Sequence, residues 1–342
     1  MENTHIKTII VGAGPAGITC GYELVKNNQD CLIIDRKELP REKACGGGLT
    51  PKAHMLVEEI FKGIKYDYKP IDKINIYRSK KHLCVIPLDK EIRIVERKKF
   101  DYDLFKEYEK AGGRFMTDII TKIEERDGKI YLKLLSDKTL SCDYLVGADG
   151  TVGIVREYLQ PNYKKGILCL EKFVEDKSVN DICISFSQKT RKGYTFCFPN
   201  NSGFMVGYLE KKTKRVTFHK MLATYNIAEE KIKGAFIPMY DKMKYPFRKN
   251  ILLIGDAGGY VDSLTGEGLY YAIKSGENAA RAIAEDKEFK ELNKPVIDLV
   301  KERQSTARLF HFPLVLPVFL SLCKKKNGFD RICRKVNKEL MK

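Results

Sequence analysis

The sequence predicts an α/β fold in which the chain enters one parallel sheet three times, inserts an antiparallel sheet in two blocks, and ends in a helical segment. Three observations predict it. The apolar runs Thr8–Val11, Tyr144–Gly147 and Asn250–Gly255 each stop at a glycine-rich turn, as buried parallel strands do. Helical periodicity follows the first and the last, over Ala16–Lys26 and from about Gly266 to Ala284. Short alternating runs fill the intervals between them. The expected division is 1–70, 97–165 and 247–290 for the discontinuous parallel domain, 71–96 and 166–246 for the inserted sheet, and 291–342 for a helical, basic C-terminal segment.

The first element carries the most chemistry. Thr8–Val11 runs directly into Gly12-Ala13-Gly14-Pro15-Ala16-Gly17, and Cys31–Ile34 is a second apolar strand that ends in Asp35 and Arg36. Gly12 permits the tight turn, Gly14 lets the backbone approach a pyrophosphate, and Gly17 lets helix and strand pack closely. The helix N-terminus offers free N–H groups and partial positive charge to that pyrophosphate. Asp35 is placed to accept from the adenosine ribose hydroxyls. A glycine turn alone recurs by chance; set between two apolar strands with the acid in place, it reads as a Rossmann-type dinucleotide site.

The later strands decide which dinucleotide. Asn250–Ile254 stops at Gly255-Asp256-Ala257-Gly258-Gly259, and Gly266-Glu267-Gly268-Leu269 opens the long helix. Asp256 suits a flavin's ribityl hydroxyls. The helix near Gly266 would aim its amides at the pyrimidine edge of the isoalloxazine, where a reduced flavin gathers negative charge. Between them, Tyr144–Gly147 ends in Ala148-Asp149-Gly150, with Arg156 soon after. Arg97 precedes a helix expected to begin near Asp101 and is suited to the pyrophosphate. The cofactor expected is FAD.

In this order, the four motifs resemble the para-hydroxybenzoate-hydroxylase-like flavoprotein superfamily, and within it the geranylgeranyl reductase family. The resemblance spans roughly residues 6–285 and rests on Lys43-Ala44-Cys45-Gly46-Gly47-Gly48-Leu49, on Tyr194-Thr195-Phe196-Cys197-Phe198-Pro199, and on the Gly255–Gly268 segment. It implies a glutathione-reductase-like FAD-binding domain with an inserted antiparallel substrate domain. Carried over position by position, the FAD contacts fall on Ala16, Asp35, Cys45, Gly46, Arg97, Asp256, Gly268 and Leu269, with Ile120 offering backbone to the adenine. Gly12, Gly14, Gly17, Arg36, Gly47, Asp149, Gly255 and Gly266 complete the expected cofactor set. The chain departs from the family pattern at Phe196, where tryptophan is usual, and at Arg191, where a proline often stands.

The substrate side is read from Ile74–Tyr77, Leu83–Pro87, Ile92–Glu96, Ile182–Ser187, Tyr194–Phe198 and Phe204–Leu209, six strand-like runs that suggest a sheet roofing the flavin. Tyr194, Phe196 and Phe198 share one strand face, with Pro199 beside them. They form either ordinary core or the wall of an apolar substrate tunnel. Tyr194, Phe196 and Cys45 are the candidate catalytic residues. The Cys45 thiol either supplies a proton or positions an alkene, or is simply a small residue that fits.

Composition bounds the rest. The chain has 342 residues, 43% hydrophobic and 31% charged, which suits a globular protein with a large core. Its ten cysteines form no CxxC pair or Cys/His ligand spacing, and Met1–Lys7 has no signal pattern. The expectation is a reducing cytosol, free thiols and no metal site. The net charge of +17 reflects either a solvated lysine-rich surface or an anionic partner, such as lipid head groups or a diphosphate substrate; nucleic acid ranks last. The apolar run Leu309–Cys323 and the basic residues after it read either as a helical hairpin packed on the FAD domain or as an interfacial anchor at the inner face of the cell membrane, spanning 309–342.

The residues predict an FAD-dependent oxidoreductase, and the resemblance implies one that reduces carbon–carbon double bonds of a polyprenyl chain by hydride from reduced flavin N5. The donor expected is NAD(P)H or a reduced ferredoxin docking as a small electron-transfer protein. The alternatives are an aromatic hydroxylase of the same superfamily and a non-catalytic flavin- or lipid-binding protein. A flavin halogenase ranks lower, because its motif carries two tryptophans and this chain has none.

Overall fold

A computed structural model describes residues 4–163, 166–186, 193–210, 212–239, 246–310, 315–322 and 326–342. The first pass through the chain builds β1 (Thr4–Val11), α1 (Pro15–Lys26), β2 (Cys31–Asp35), a two-residue β3 (Gly48–Leu49) and α2 (Pro51–Ile60). A first excursion makes β4 (Lys69–Arg78) and β5 (Lys81–Ile94). The chain returns through α3 (Arg97–Lys110), β6 (Arg114–Thr117), β7 (Ile120–Arg126), β8 (Lys129–Leu134), β9 (Thr139–Gly147) and α4 (Ile154–Leu159). The second excursion is β10 (Ile167–Val174), β11 (Ile182–Phe186), β12 (Gly193–Asn200), β13 (Gly203–Glu210), α5 (Arg215–Thr224) and β14 (Lys233–Ile237). The last visit comprises β15 (Phe247–Arg248), β16 (Ile251–Leu253), a 3-10 turn at Gly255–Gly258 and α6 (Leu269–Ala284). After it come α7 (Phe289–Leu292), α8 (Lys294–Phe310), α9 (Val315–Leu322) and α10 (Lys326–Met341).

Two sheets result. The first runs β15-β16-β9-β1-β2-β6, with β7 and β8 joined through β9. Its central strands are parallel and end together: Val11 lies opposite Ile34 and Gly147, and Gly147 lies opposite Leu253. The turns that follow these strands therefore meet along one edge. α1 and α6 cover one face, so close that a Cβ on Gly276 would stand 2.4 Å from the Ala16 carbonyl oxygen. Ile10, Ile18, Leu24, Ile33 and Ile273 fill that layer with almost no exposure. Each such side chain contributes about 1.5–3 kcal/mol by leaving water.

The second sheet runs β14-β10-β13-β12-β11-β4-β5-β3. It departs from expectation in four ways. Leu83–Pro87 and Ile92–Glu96 are not two strands: Lys81–Ile94 is one, carried through Leu88–Glu91 by an irregularity where pairing passes from Lys73↔Pro87 to Ile71↔Ile92. The sheet is not wholly antiparallel, since β11 joins β4 in parallel, Ile182 opposite Ile74. These two strands come from different excursions, so no hairpin dictates their direction. β10 and β14 were not foreseen. β3, from the Cys45 loop, also joins this sheet.

Helix α3 begins at Arg97, not near Asp101. At the C-terminus, α9 and α10 pack on the second sheet, where Leu320 and Ile332 are buried with Phe186, Tyr194 and Phe196. The expected hairpin on the FAD domain is thus corrected: among the described residues α9 and α10 pack mainly on the second sheet, and α10 also touches α2. α7 and α8 lie against α6, α8 through Val296, Val300 and Tyr271. The 311–314 and 323–325 stretches of the apolar run, and Arg191 and Ser187, lie outside the described residues. Among the described residues no helix is long and apolar enough to cross a membrane, and every cysteine is a free thiol.

Candidate active site

Four turns meet at the carboxyl edge of the first sheet. In the first, Gly12 has φ +109°, and a Cβ there would press on Ala148 O at 2.4 Å. Gly17 has no room either, with Gly12 O 1.9 Å from an added Cβ. Gly14, the N-cap of α1, is different: the nearest atom to an added Cβ is Arg41 Nη2 at 3.9 Å. The protein itself leaves that approach open, as a backbone cradle for phosphate requires.

Asp35, at the end of β2, is buried and organises this turn. Its Oδ2 accepts from the Ala13 N–H at 2.8 Å and from Arg41 Nη2 at 3.2 Å, and its Oδ1 accepts from the Lys37 N–H at 3.0 Å. Arg41, which sequence reasoning missed, has a buried Nε without a protein partner. It is the cation beside Gly14. Arg97 is not a free cation: it is buried in a bidentate pair with Asp101, Nε–Oδ1 2.8 Å and Nη2–Oδ2 2.9 Å. Burial works against its charge, and Asp101 and Cys45 outweigh that and raise its pKa. Arg36 is exposed, and Ile120 buries its side chain under the first sheet, opposite Leu134.

Asp149 serves the neighbouring helix. Its Oδ2 accepts from the Val155 N–H at 2.9 Å at the start of α4, and burial pushes the carboxyl up to about 6. Its part in the site is to fix α4, from which Arg156 donates to the Asp256 carbonyl. Gly255 takes φ +56° and donates its N–H to Ser275 Oγ at 2.9 Å, seating the Asp256 turn on α6. The half-buried Asp256 carboxylate stands beside Gly268, the N-cap of α6 and neighbour of Leu269; a Cβ on Gly268 would lie 3.4 Å from Oδ1. Gly266 adopts φ +77° in a loop closed by Asp262, whose Oδ1 accepts from the Leu264 and Thr265 N–H groups. Glu267 ties this loop to α2, with Oε2 3.0 Å from Lys52 Nζ and Oε1 accepting from Thr50; burial raises its pKa.

These groups fit an FAD. Gly12, Gly14 and Gly17 with the α1 N-terminus would hold the pyrophosphate, Asp35 the adenosine ribose, and Asp256 with the α6 N-terminus the ribityl and flavin end.

Over this edge stands β12. Tyr194 and Phe196 are buried and Phe198 half-buried, with ring centroids 6.4 Å and 5.1 Å apart along the strand. The stripe joins the two flavin-side loops. At one end the Tyr194 hydroxyl donates to the Thr265 carbonyl. At the other, Phe198 lies so close to Gly46 and Gly48 that added Cβ atoms would be 2.7 Å and 3.2 Å from its ring. Gly47, at φ +77°, abuts the Val95 carbonyl and donates its N–H to Cys45 Sγ at 3.4 Å. Pro199 sits opposite Phe204 at the end of the strand.

One buried acid on this wall was not foreseen. Glu171 lies on β10, and burial pushes its carboxyl up to about 7, with the Cys45 backbone N–H and the charges of Lys233, Arg97 and Lys43 pulling it back. The signal was weak, a single acid in a strand the sequence did not reveal.

Comparison with known proteins accords with this geometry. A family described as FAD binding domain matches residues 5–231. An uncharacterised protein of Methanosarcina barkeri is 32% identical over 81% of this chain and 74% of its own. A chloroplastic geranylgeranyl diphosphate reductase of Arabidopsis thaliana is 26% identical, over 83% and 67%, and a digeranylgeranylglycerophospholipid reductase of Methanocaldococcus jannaschii is 25% identical, over 82% and 78%. Among solved structures, a geranylgeranyl bacteriochlorophyll reductase-like protein of Thermoplasma acidophilum has a TM-score of 0.75 at 19% identity, over 95% of this chain and 92% of that one. A flavin-dependent brominase has a TM-score of 0.72 at 18% identity, over 97% and 93%. At such identities the two structures speak for the fold alone.

Proposed function

The chain belongs to the FAD binding domain family of flavin-dependent oxidoreductases, and from that premise we propose that it reduces carbon–carbon double bonds of a polyprenyl chain. The observation that carries this reading is the aromatic stripe of β12, which spans from Thr265 to Gly46 and lines the cofactor edge with apolar surface. The names of the reductases among its relatives support the substrate class.

When bound and reduced, FAD supplies hydride. The residues of the chain do the rest. An isolated alkene has no carbonyl to activate it, so rate must come from alignment and exclusion of water. Tyr194, Phe196 and Phe198 would hold the chain flat over the cofactor edge, and Cys45, in a loop of three glycines, would mark its end. α9 and α10 cover part of the same face with Leu320 and Ile332. Electrons would come from NAD(P)H binding transiently or from a reduced ferredoxin on the basic surface.

The same reading places the C-terminus at an anionic membrane. Leu309, Val318 and Leu322 are exposed on α8 and α9, and Arg331, Arg334, Lys335 and Lys338 share an exposed face of α10. Each basic residue near such a surface adds about 1 kcal/mol.

The test is anaerobic. Photoreduced protein is mixed with geranylgeraniol, geranylgeranyl diphosphate or a geranylgeranylated glycerolipid, and flavin reoxidation is followed with mass analysis of the product. Reoxidation with gain of two hydrogens per bond is expected from at least one of them. If none reoxidises the flavin, while an aromatic substrate accelerates oxygen consumption, the protein is a hydroxylase. Stoichiometric FAD with neither response makes it a binding protein.

A further inference from the structure

We propose that Glu171 is the proton source of this pocket, the acid that protonates one alkene carbon as hydride is delivered to the other. The proposal rests on the reduction proposed above and adds the residue that completes it.

The placement follows from register. On β12, β13, β10 and β14 the residues Phe196, Gly207, Glu171 and Lys233 stand opposite one another in a single row across the sheet. Residues in such a row share a face, so Glu171 lies on the face of the aromatic stripe. Gly207 has no side chain between them, and the Phe196 ring fills that space, 2.0 Å from where a Cβ would be. The flanking rows are apolar or weakly polar: Tyr194, Leu209 and Cys169 on one side, Phe198, Met205 and Phe173 on the other. Glu171 is the one carboxyl in these rows.

It is also only 3% exposed, and its Oε1 has no partner in the protein. A buried, unsatisfied carboxylate is costly, whereas a protonated one is tolerated and can donate. The groups facing it are the Cys45 backbone N–H and Lys43 from the loop before β3, Arg97 at the start of α3, Cys169 on its own strand and Lys233 on β14. Lys233 reaches the surface, where it pairs with Glu42 at 2.9 Å, and this rim gives the acid a route to solvent protons.

The balance is simple. Hydride supplied by a reduced flavin would form one C–H bond while the π electron pair takes H⁺ from Glu171 to form the other. The flavin is oxidised, the alkene is reduced, and the Glu171 carboxylate regains its proton from water.

The experiment compares wild type, Glu171→Gln, Glu171→Asp, Lys233→Met and Cys45→Ser, each loaded with FAD and photoreduced, with geranylgeraniol in detergent as the probe. Wild-type reoxidation should fall as pH rises through neutrality. Glu171→Gln should lose that limb and run on the order of a hundred-fold slower at pH 6. Glu171→Asp should keep the limb, Cys45→Ser should keep it too, and Lys233→Met should move it to higher pH. A second readout needs no turnover: the infrared carbonyl band of a protonated carboxyl should titrate near neutrality in oxidised wild type and be missing from Glu171→Gln. A limb that survives Glu171→Gln, or a Glu171 found ionised at pH 5.5 by infrared, overturns the proposal alone. If no variant is reoxidised by prenyl substrate although the band titrates, the reduction itself fails, and the proton's destination with it.

Discussion

Single atoms decide what Gly14 and Gly17 do, and the two glycines of one motif separate cleanly. A methyl on Gly17 meets Gly12 O at 1.9 Å, whereas one on Gly14 meets only Arg41 at 3.9 Å. Gly17→Ala should therefore lower the melting temperature of the flavin-free protein. Gly14→Val should leave that melting temperature nearly unchanged and abolish FAD retention, read as flavin absorbance per chain after gel filtration. Loss of fold in Gly14→Val would show that this turn serves packing, not phosphate. Glu171 gives a second prediction at this scale. Its carboxyl lies at about 7 in the folded chain against 4.5 when free, so the folded state binds the extra proton. Stability should fall as pH rises from about 4.5 to about 7, by up to about 3 kcal/mol. Glu171→Gln has no proton to lose there. It should melt higher than wild type at pH 8 and no higher at pH 4.5, in melts run across that range.

Among the elements, α9 and α10 have two faces with different tasks. Leu320 and Ile332 are buried against the second sheet, so Leu320→Ala should cost about 2–5 kcal/mol, read by denaturant unfolding. Leu309, Val318 and Leu322 face outward. Replacing these three with aspartate should leave stability and FAD content intact and remove binding to liposomes containing anionic lipid at low salt. Equal co-sedimentation of the triple variant and wild type would show that the outward face plays no part at a membrane. Within the apolar run Leu309–Cys323, Leu320 and Phe319 pack on the face that carries the aromatic stripe, whereas Leu309, Val318 and Leu322 do not. Periodicity over so short and proline-broken a run could not separate core from anchor.

At the scale of the whole molecule, the chain is a parallel FAD sheet whose carboxyl edge is roofed by a second sheet and sealed by C-terminal helices. The cradle is built for a dinucleotide, so purified protein should carry about one FAD per chain and no FMN, measured by chromatography of the released flavin. A protein that stays colourless and cannot be reconstituted with FAD would overturn the cofactor assignment.

The sequence by itself determined the parallel sheet, its three visits and the dinucleotide turns, because each is local: a strand, a glycine turn and a helix N-terminus lie within about twenty residues. It also placed Tyr194, Phe196 and Phe198 on one face, since strand period alone does that. What only the tertiary structure decided is non-local. Arg41 reaches Gly14 by folding back onto Asp35, Arg97 is held by Asp101 one helical turn away and reaches Cys45, and Asp149 turns to cap α4. Glu171 meets the aromatic stripe because β10 and β12 both flank β13, a register fixed by strand pairing within the second excursion. No spacing in the chain encodes that meeting; the burial that makes Glu171 an acid exists only once the sheet has closed over it.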